Sequence, residues 1–145
     1  MIQKILIPYN HGGSAEAAFN FALNLAKKFN SQLFVLSVIQ LPEPPTEVET
    51  EAIIESSTAH YHKLFHELHK RAEVLGVTIH ATVATGHPEE QILMKAEKEH
   101  IDVIVIGHQT RVGFGKWFLG SVTDRVVDHA QCTVIVVKKD HTKEK

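Results

Sequence analysis

Four short runs of unbroken, largely β-branched apolar residues punctuate the chain: Ile5-Leu6-Ile7-Pro8, Leu33-Phe34-Val35-Leu36, Val103-Ile104-Val105-Ile106 and Val134-Ile135-Val136-Val137. Runs of this length and composition suit strands covered on both faces, as in a parallel sheet. A fifth stretch, Val77 to Ala84, is different. There Val77, Ile79, Ala81 and Val83 alternate with Thr78, His80 and Thr82. Alternation leaves one face wet and predicts a strand at a sheet edge.

The intervening segments repeat at three and four. From Ser14, a predicted N-cap, Ala15, Ala18, Phe19, Ala22, Ala26 and Phe29 fall on one helical face. A longer helix is predicted within Glu47 to Leu75, where Tyr61, Leu64, Phe65, Leu68, Ala72 and Leu75 share a face and Gly76 is placed to end it. Leu41-Pro42-Glu43-Pro44-Pro45 before it reads as a stiff loop. Pro88 opens a third helix, with Glu89 and Glu90 in its first turn and Lys95 and Lys98 towards its end, opposing the helix dipole. The fourth is predicted from Ser121, paired with Asp124 as in a capping box, with Val122, Val126 and Val127 inward.

Strand and helix therefore alternate through five strands, the signature of an α/β parallel sheet with helices on both faces and right-handed crossovers. The length, 145 residues, suits one domain spanning 1–145. In such sheets ligands sit beyond the carboxyl ends of the strands, where the winding reverses, so the loops after the strands are the ones to inspect.

Composition narrows the classes. Apolar residues make up 43% and charged residues 22%, and the formal net charge is -2. That balance offers no basic footprint for nucleic acid or for an anionic membrane. No apolar run approaches the roughly 18 residues of a membrane span, and the opening Met1-Ile2-Gln3-Lys4-Ile5 does not read as a leader. The single cysteine, Cys132, can form no internal disulfide and no thiolate cluster, which points to a reducing cytoplasm. It precedes an apolar strand and reads as an unreactive core residue.

The richest loop follows the fourth strand: Gly107-His108-Gln109-Thr110-Arg111-Val112-Gly113-Phe114-Gly115-Lys116-Trp117-Phe118-Leu119-Gly120-Ser121. Glycines let the backbone approach a ligand, and a helix opening at Gly120-Ser121 offers free N–H groups and a positive dipole end to a phosphate. The plain alternative is that these glycines serve only a turn and a helix start. Two common phosphate motifs fail by inspection. Gly115-Lys116 precedes Trp117 instead of Ser or Thr, so there is no P-loop, and Gly113-x-Gly115 has no glycine at 118, so there is no dinucleotide fingerprint.

The opening Ile5-Leu6-Ile7-Pro8, the Gly86-His87-Pro88 before the third helix, and above all the block from Gly107 through Gly120-Ser121-Val122 to His129-Ala130-Gln131-Cys132-Thr133-Val134-Ile135-Val136-Val137 resemble the universal stress protein family. The resemblance spans essentially the whole chain. It implies an open, Rossmann-like sheet of the adenine nucleotide alpha hydrolase-like type, with five parallel strands in the order 3-2-1-4-5. It further implies a homodimer and, in one branch, ATP or a related adenine nucleotide in the cleft between strands one and four. That branch carries Gly, two residues, Gly, nine residues, then Gly followed by Ser or Thr. Gly107 and Gly120-Ser121 keep this spacing, and Thr110 replaces the middle glycine. Asn10 stands where nucleotide-binding members usually place an aspartate; it can donate and accept hydrogen bonds but brings no charge. Thr110 is the larger departure, because a β-branched residue tolerates positive φ poorly and fills space near the phosphates.

Carried over residue by residue, the resemblance assigns the cleft to Pro8 and Asn10 after the first strand, Val38 in the second, and Gly107, His108, Thr110, Gly113, Gly120, Ser121 and Val122 around the glycine loop. The phosphates would lie against the backbone of Gly113 to Ser121, with Arg111 and Lys116 adding charge. His11 and His108 fall in the same cleft. The dimer contact would be the last strand, Thr133 to Val137, apolar throughout and placed at the sheet edge. Three function classes follow. The first is a cytoplasmic, dimeric stress-response module that binds nucleotide without turnover. The second is a dimerisation and protein-interaction module whose cleft is empty. The third, an ATP hydrolase, lacks a recognisable base or metal carboxylate near the loop. Eleven histidines include His62, His66 and His69 in one stripe of the second helix, at spacings that can share a metal but also suit a solvated helix edge that charges below about pH 6.5.

Overall fold

In the computed structural model, which describes residues 1–10, 13–41, 47–108 and 120–138, the four apolar runs lie within strands and the three-four repeats within helices, except that Leu75 falls just past the end of the second helix, and the alternating stretch forms strand only from Ile79, leaving Val77 and Thr78 before it. The order is β1 (Lys4–Pro8), α1 (Gly13–Phe29), β2 (Gln32–Ile39), α2 (Glu47–Val74), β3 (Ile79–Thr85), α3 (Pro88–Lys98), β4 (Val103–His108), α4 (Ser121–His129) and β5 (Thr133–Lys138). All pairings are parallel and the strand order is β3-β2-β1-β4-β5.

Successive residues of a strand point to opposite faces, so each strand feeds two cores. Ile5, Ile7, Val35, Val103 and Val105 meet Phe19, Ala22, Phe65 and Leu68 beneath α1 and α2. Leu6, Phe34, Leu36, Ile104 and Ile106 meet Ile92 and Val126 beneath α3 and α4. Ile5, Leu6 and Ile7 are all fully enclosed, which explains why the central strands read as continuous apolar runs. At the two edges the cover thins. In β3, His80 and Thr82 are exposed while Ile79 is buried, and in β5 Val134 to Val137 are half-buried.

Boundaries depart from expectation where glycine can replace a polar cap. α1 begins at Gly13, so Ser14 lies inside the first turn and is not the N-cap. The N-cap of α4 is Gly120, in extended geometry (φ -62°, ψ 159°), and Ser121 with Asp124 makes no capping box. Asp124 instead donates its backbone N–H to the Gly120 carbonyl at 2.8 Å. Phe29 and Val127, expected inward, are 43% and 42% exposed. Each sits beside the buried line of its helix, Ala18–Ala22–Ala26 in α1 and Val126 in α4, and turns off the sheet. Gly76 (φ 71°) ends α2 as expected, with Val77 N–H donating to Ala72 O at 3.0 Å.

Asp102 ties the starts of β1 and β4 together. Its Oδ2 accepts the backbone N–H groups of Lys4 and Gln3, each at 2.9 Å, and these bonds hold its carboxyl below the usual range. A depressed carboxylate stabilises the fold above its unfolded pKa, and that contribution disappears as pH falls through the folded value. Asp102→Ala is expected to cost about 1–2 kcal/mol at pH 7, the worth of charge-assisted hydrogen bonds at a partly exposed site. Urea titrations should show the gap from wild type closing as pH falls through the depressed folded value, below which the carboxylate is protonated in either state.

Candidate functional site

The β1–β4 ladder holds at Ile5–Val103 and Leu6–Ile104. Above it, where the winding reverses, a cavity of ≈ 220 Å³ is lined by Pro8, Asn10, Ser14, Ala15, Ile92, Ile106, Gly107, Gly120, Val122 and Thr123. Two helices begin at this cavity: the first turn of α1 brings Ser14 and Ala15, and the first turn of α4 brings Val122 and Thr123. Their free N–H groups and dipoles present partial positive charge to one space. None of the ten described lining residues is ionisable, so among them the helix ends supply the charge that faces the cavity.

Five of the residues singled out in the sequence thus meet here: Pro8, Asn10, Gly107, Gly120 and Val122. Val38 does not line the cavity; it is buried in the sheet core, registered with Ala84 of β3. His108 is also enclosed, at 1% exposure, and Ser121 is exposed in the first turn of α4. Thr110, Arg111, Gly113, Lys116 and His11 lie outside the described residues.

Four contributors were missed besides Ser14. Ala15 and Ile92 face the space from helices on opposite sides of the sheet, and Ile106 is the β4 residue next to Gly107. Thr123 is 6% exposed and its Oγ1 donates to the Gly107 carbonyl at 3.2 Å, fastening α4 to the end of β4. A polar residue three positions after Gly120 was the only sequence signal for it.

Asn10 owes its position to Tyr9. The Tyr9 N–H donates to Leu36 O at 2.8 Å, and Ser37 Oγ donates to the Tyr9 carbonyl. The Tyr9 ring is buried, and its hydroxyl donates to Glu16 Oε1 at 2.6 Å. Arg71 Nη1 of α2 donates to both oxygens of the same carboxylate, at 3.1 and 3.0 Å, and the guanidinium lies 4.7 Å over the Phe19 ring. Burial, then the bond to Glu16, pushes the Tyr9 hydroxyl far above its ordinary pKa. Burial opposes the Glu16 charge as well, but Tyr9 and Arg71 outweigh it and hold that carboxyl below its usual value. The residue before Asn10 is therefore anchored to β2, α1 and α2.

A slightly larger cavity, ≈ 260 Å³, opens at the other end of the sheet among Ala96, Glu97, His100, His129 and Cys132. The helices there present their carboxyl ends, and Glu97 adds negative charge, so that space disfavours an anion. Burial raises the pKa of the Cys132 thiol, away from the reactive thiolate. His62, His66 and His69 are exposed on α2, and among the described residues no three His, Cys, Asp or Glu side chains are grouped to hold a metal. No helix among the described residues is long and apolar enough to cross a membrane.

The profile of the universal stress protein family matches residues 1–138. A universal stress protein of Methanocaldococcus jannaschii is 33% identical over 142 residues, covering 96% of this chain and 84% of that protein. The solved structure of a universal stress protein from Lactobacillus plantarum superposes with a TM-score of 0.83 at 26% identity, covering 93% of this chain and 97% of the other. A universal stress protein family member from Arabidopsis thaliana, solved with AMP bound, superposes with a TM-score of 0.73 at 20% identity, over 99% and 95% of the two chains.

Proposed function

The chain belongs to the universal stress protein family, and we propose that it is a stress-response module which holds an adenine nucleotide, ATP or a relative, in the cavity between β1 and β4. The observation that carries this reading is the convergence of the α1 and α4 N-termini on a space whose described lining has no ionisable side chain. An anion is the ligand such a field favours. Pro8, Ala15, Ile92, Ile106 and Val122 supply apolar walls suited to a flat base, and Asn10 supplies one donor and one acceptor for base or ribose. The AMP held by the plant relative shows that this fold can take such a ligand. The role is binding, not turnover, and the working unit is a homodimer paired through Thr133 to Val137.

The test is direct. Protein purified without added ligand and then denatured should release an adenine nucleotide into the supernatant, identified by mass spectrometry. Isothermal titration of ligand-free protein with ATP should give saturable heat. Thr110→Gly restores the spacing Gly-x-x-Gly at 107–110 and is expected to tighten ATP binding several-fold. If neither wild type nor Thr110→Gly takes up ATP, ADP or AMP, the cleft is not a nucleotide site and the protein-interaction module of the same fold is the better account.

A further inference from the structure

We propose that Arg71 of α2 sets the sign of the field at the α1 side of the cavity: by neutralising Glu16, it leaves that helix end positive towards an anion. This rests on the anion-binding reading above and names what regulates the same site. Glu16 follows Ser14 and Ala15, which line the cavity, and lies in the first turn of α1. A helix N-terminus is worth about half a positive elementary charge, whereas an ionised carboxylate brings a full negative one. Left alone, Glu16 would turn the α1 end from attracting an anion to repelling it. One helical turn is about 5 Å of axis, inside the roughly 8 Å over which physiological salt screens a charge.

The guanidinium is oriented wholly by α1. Its Nη1 donates to both Glu16 oxygens, its Nη2 donates to Asn20 Oδ1, and its plane lies over the Phe19 ring. The Arg71 and Glu16 side chains are 34% and 45% exposed, so solvent reaches the pair and its worth as a stabilising salt bridge is small. Its effect on a ligand is larger, because a multiply charged phosphate chain responds to the sum of helix end and carboxylate. Burial raises the Glu16 pKa, but the bonds from Tyr9 and Arg71 outweigh it, so the charge that Arg71 cancels is present at neutral pH. The two partners belong to different helices, and Leu68 and Ala72, buried on either side of Arg71, seat the last turn of α2. Where α2 docks therefore decides how strongly the cavity holds an anion.

Two measurements on the full chain test this, one of them without nucleotide. Isothermal titration with ATP at low ionic strength should show an affinity about tenfold lower for Arg71→Gln, and close to wild type for Arg71→Lys, which keeps the charge. Adding Glu16→Gln to Arg71→Gln should restore binding, a rescue that lost packing at Arg71 could not give. The second measurement uses a thiol on the cavity lining to read the field. In a Cys132→Ala background, which removes the chain's one cysteine, the pKa of the thiol introduced by Ser14→Cys is taken from the pH dependence of its alkylation by iodoacetamide. It should rise by about half a unit on Arg71→Gln and return on adding Glu16→Gln. Should Arg71→Gln fail to fold, Glu16→Gln alone reads the same balance, because it should lower the thiol pKa and tighten ATP binding. A thiol pKa indifferent to both substitutions overturns the proposal, as does a loss of ATP affinity that Glu16→Gln does not restore. If the thiol responds as expected while wild type takes up no ATP, the charge balance stands and the nucleotide reading falls.

Discussion

Gly107→Ala is expected to cost about 3 kcal/mol, at the upper end for forcing one methyl group into packed structure, and Gly107→Val is expected to leave little soluble protein. A Cβ at Gly107 would lie 2.3 Å from the Ser14 carbonyl oxygen, 2.7 Å from its carbon and 3.0 Å from Ser14 Cβ. The first two are backbone atoms of the first turn of α1, which cannot swing aside as a flexible side-chain tip would. Relief requires the helix to lift off β4, taking Ala15 and Ala18 out of the core and Ser14 away from the cavity. Fold and site therefore fail together. Urea denaturation of Gly107→Ala should show a lower midpoint with an unchanged slope, and titration should show weakened nucleotide binding. A midpoint equal to that of wild type would mean that α1 yields without cost.

This role for Gly107 was not legible in the sequence. There it stood as the first glycine of a phosphate-binding spacing, and nothing local says that a helix begun at residue 13 will press on residue 107. The order of elements was legible, because each rests on a periodicity within a few residues: the unbroken runs of the four other strands, the alternation of Val77 to Ala84, the stop at Gly76. Even the placement of β3 at an edge was written in that alternation. What local pattern could not supply was the exact helix start. Ser14 and Ser121 are better cap residues than the glycines before them, yet Gly13 opens α1 and Gly120 caps α4.

The site divides along the same line. Pro8, Asn10, Gly107, Gly120 and Val122 follow strand ends or open a helix, where a parallel sheet places ligands, so position in the chain was enough to mark them. Ile92 and Thr123 come to the cavity from helical faces whose orientation is set by packing. Ile92 is drawn in because its helix buries that face against Leu6 and Ile106. Thr123 is drawn in by its bond to the Gly107 carbonyl. The anchoring of Tyr9 through Glu16 and Arg71 joins residues 62 positions apart in sequence, from Tyr9 to Arg71, and no motif connects them.

Gly120→Val gives the second large effect, and it should appear in binding with the fold intact. Unlike Gly107, Gly120 has no atom of the described residues within 4 Å of the position a Cβ would take, and its φ of -62° is one any residue adopts. The added isopropyl group therefore meets no atom of the described residues; it projects from a residue that lines the cavity. Replacing glycine by valine at an N-cap costs on the order of 1 kcal/mol of helix stability, so the variant should fold and melt close to wild type. Phosphate groups approaching the free N–H groups of α4 would meet the new methyls first, and the loss of those contacts should weaken ATP binding by at least about a hundredfold, or roughly 2.7 kcal/mol. Gly120→Ala should fall between the two. Titration of the three proteins, each with its urea midpoint measured alongside, separates a blocked site from a damaged one. Equal affinity in all three would place the phosphates elsewhere.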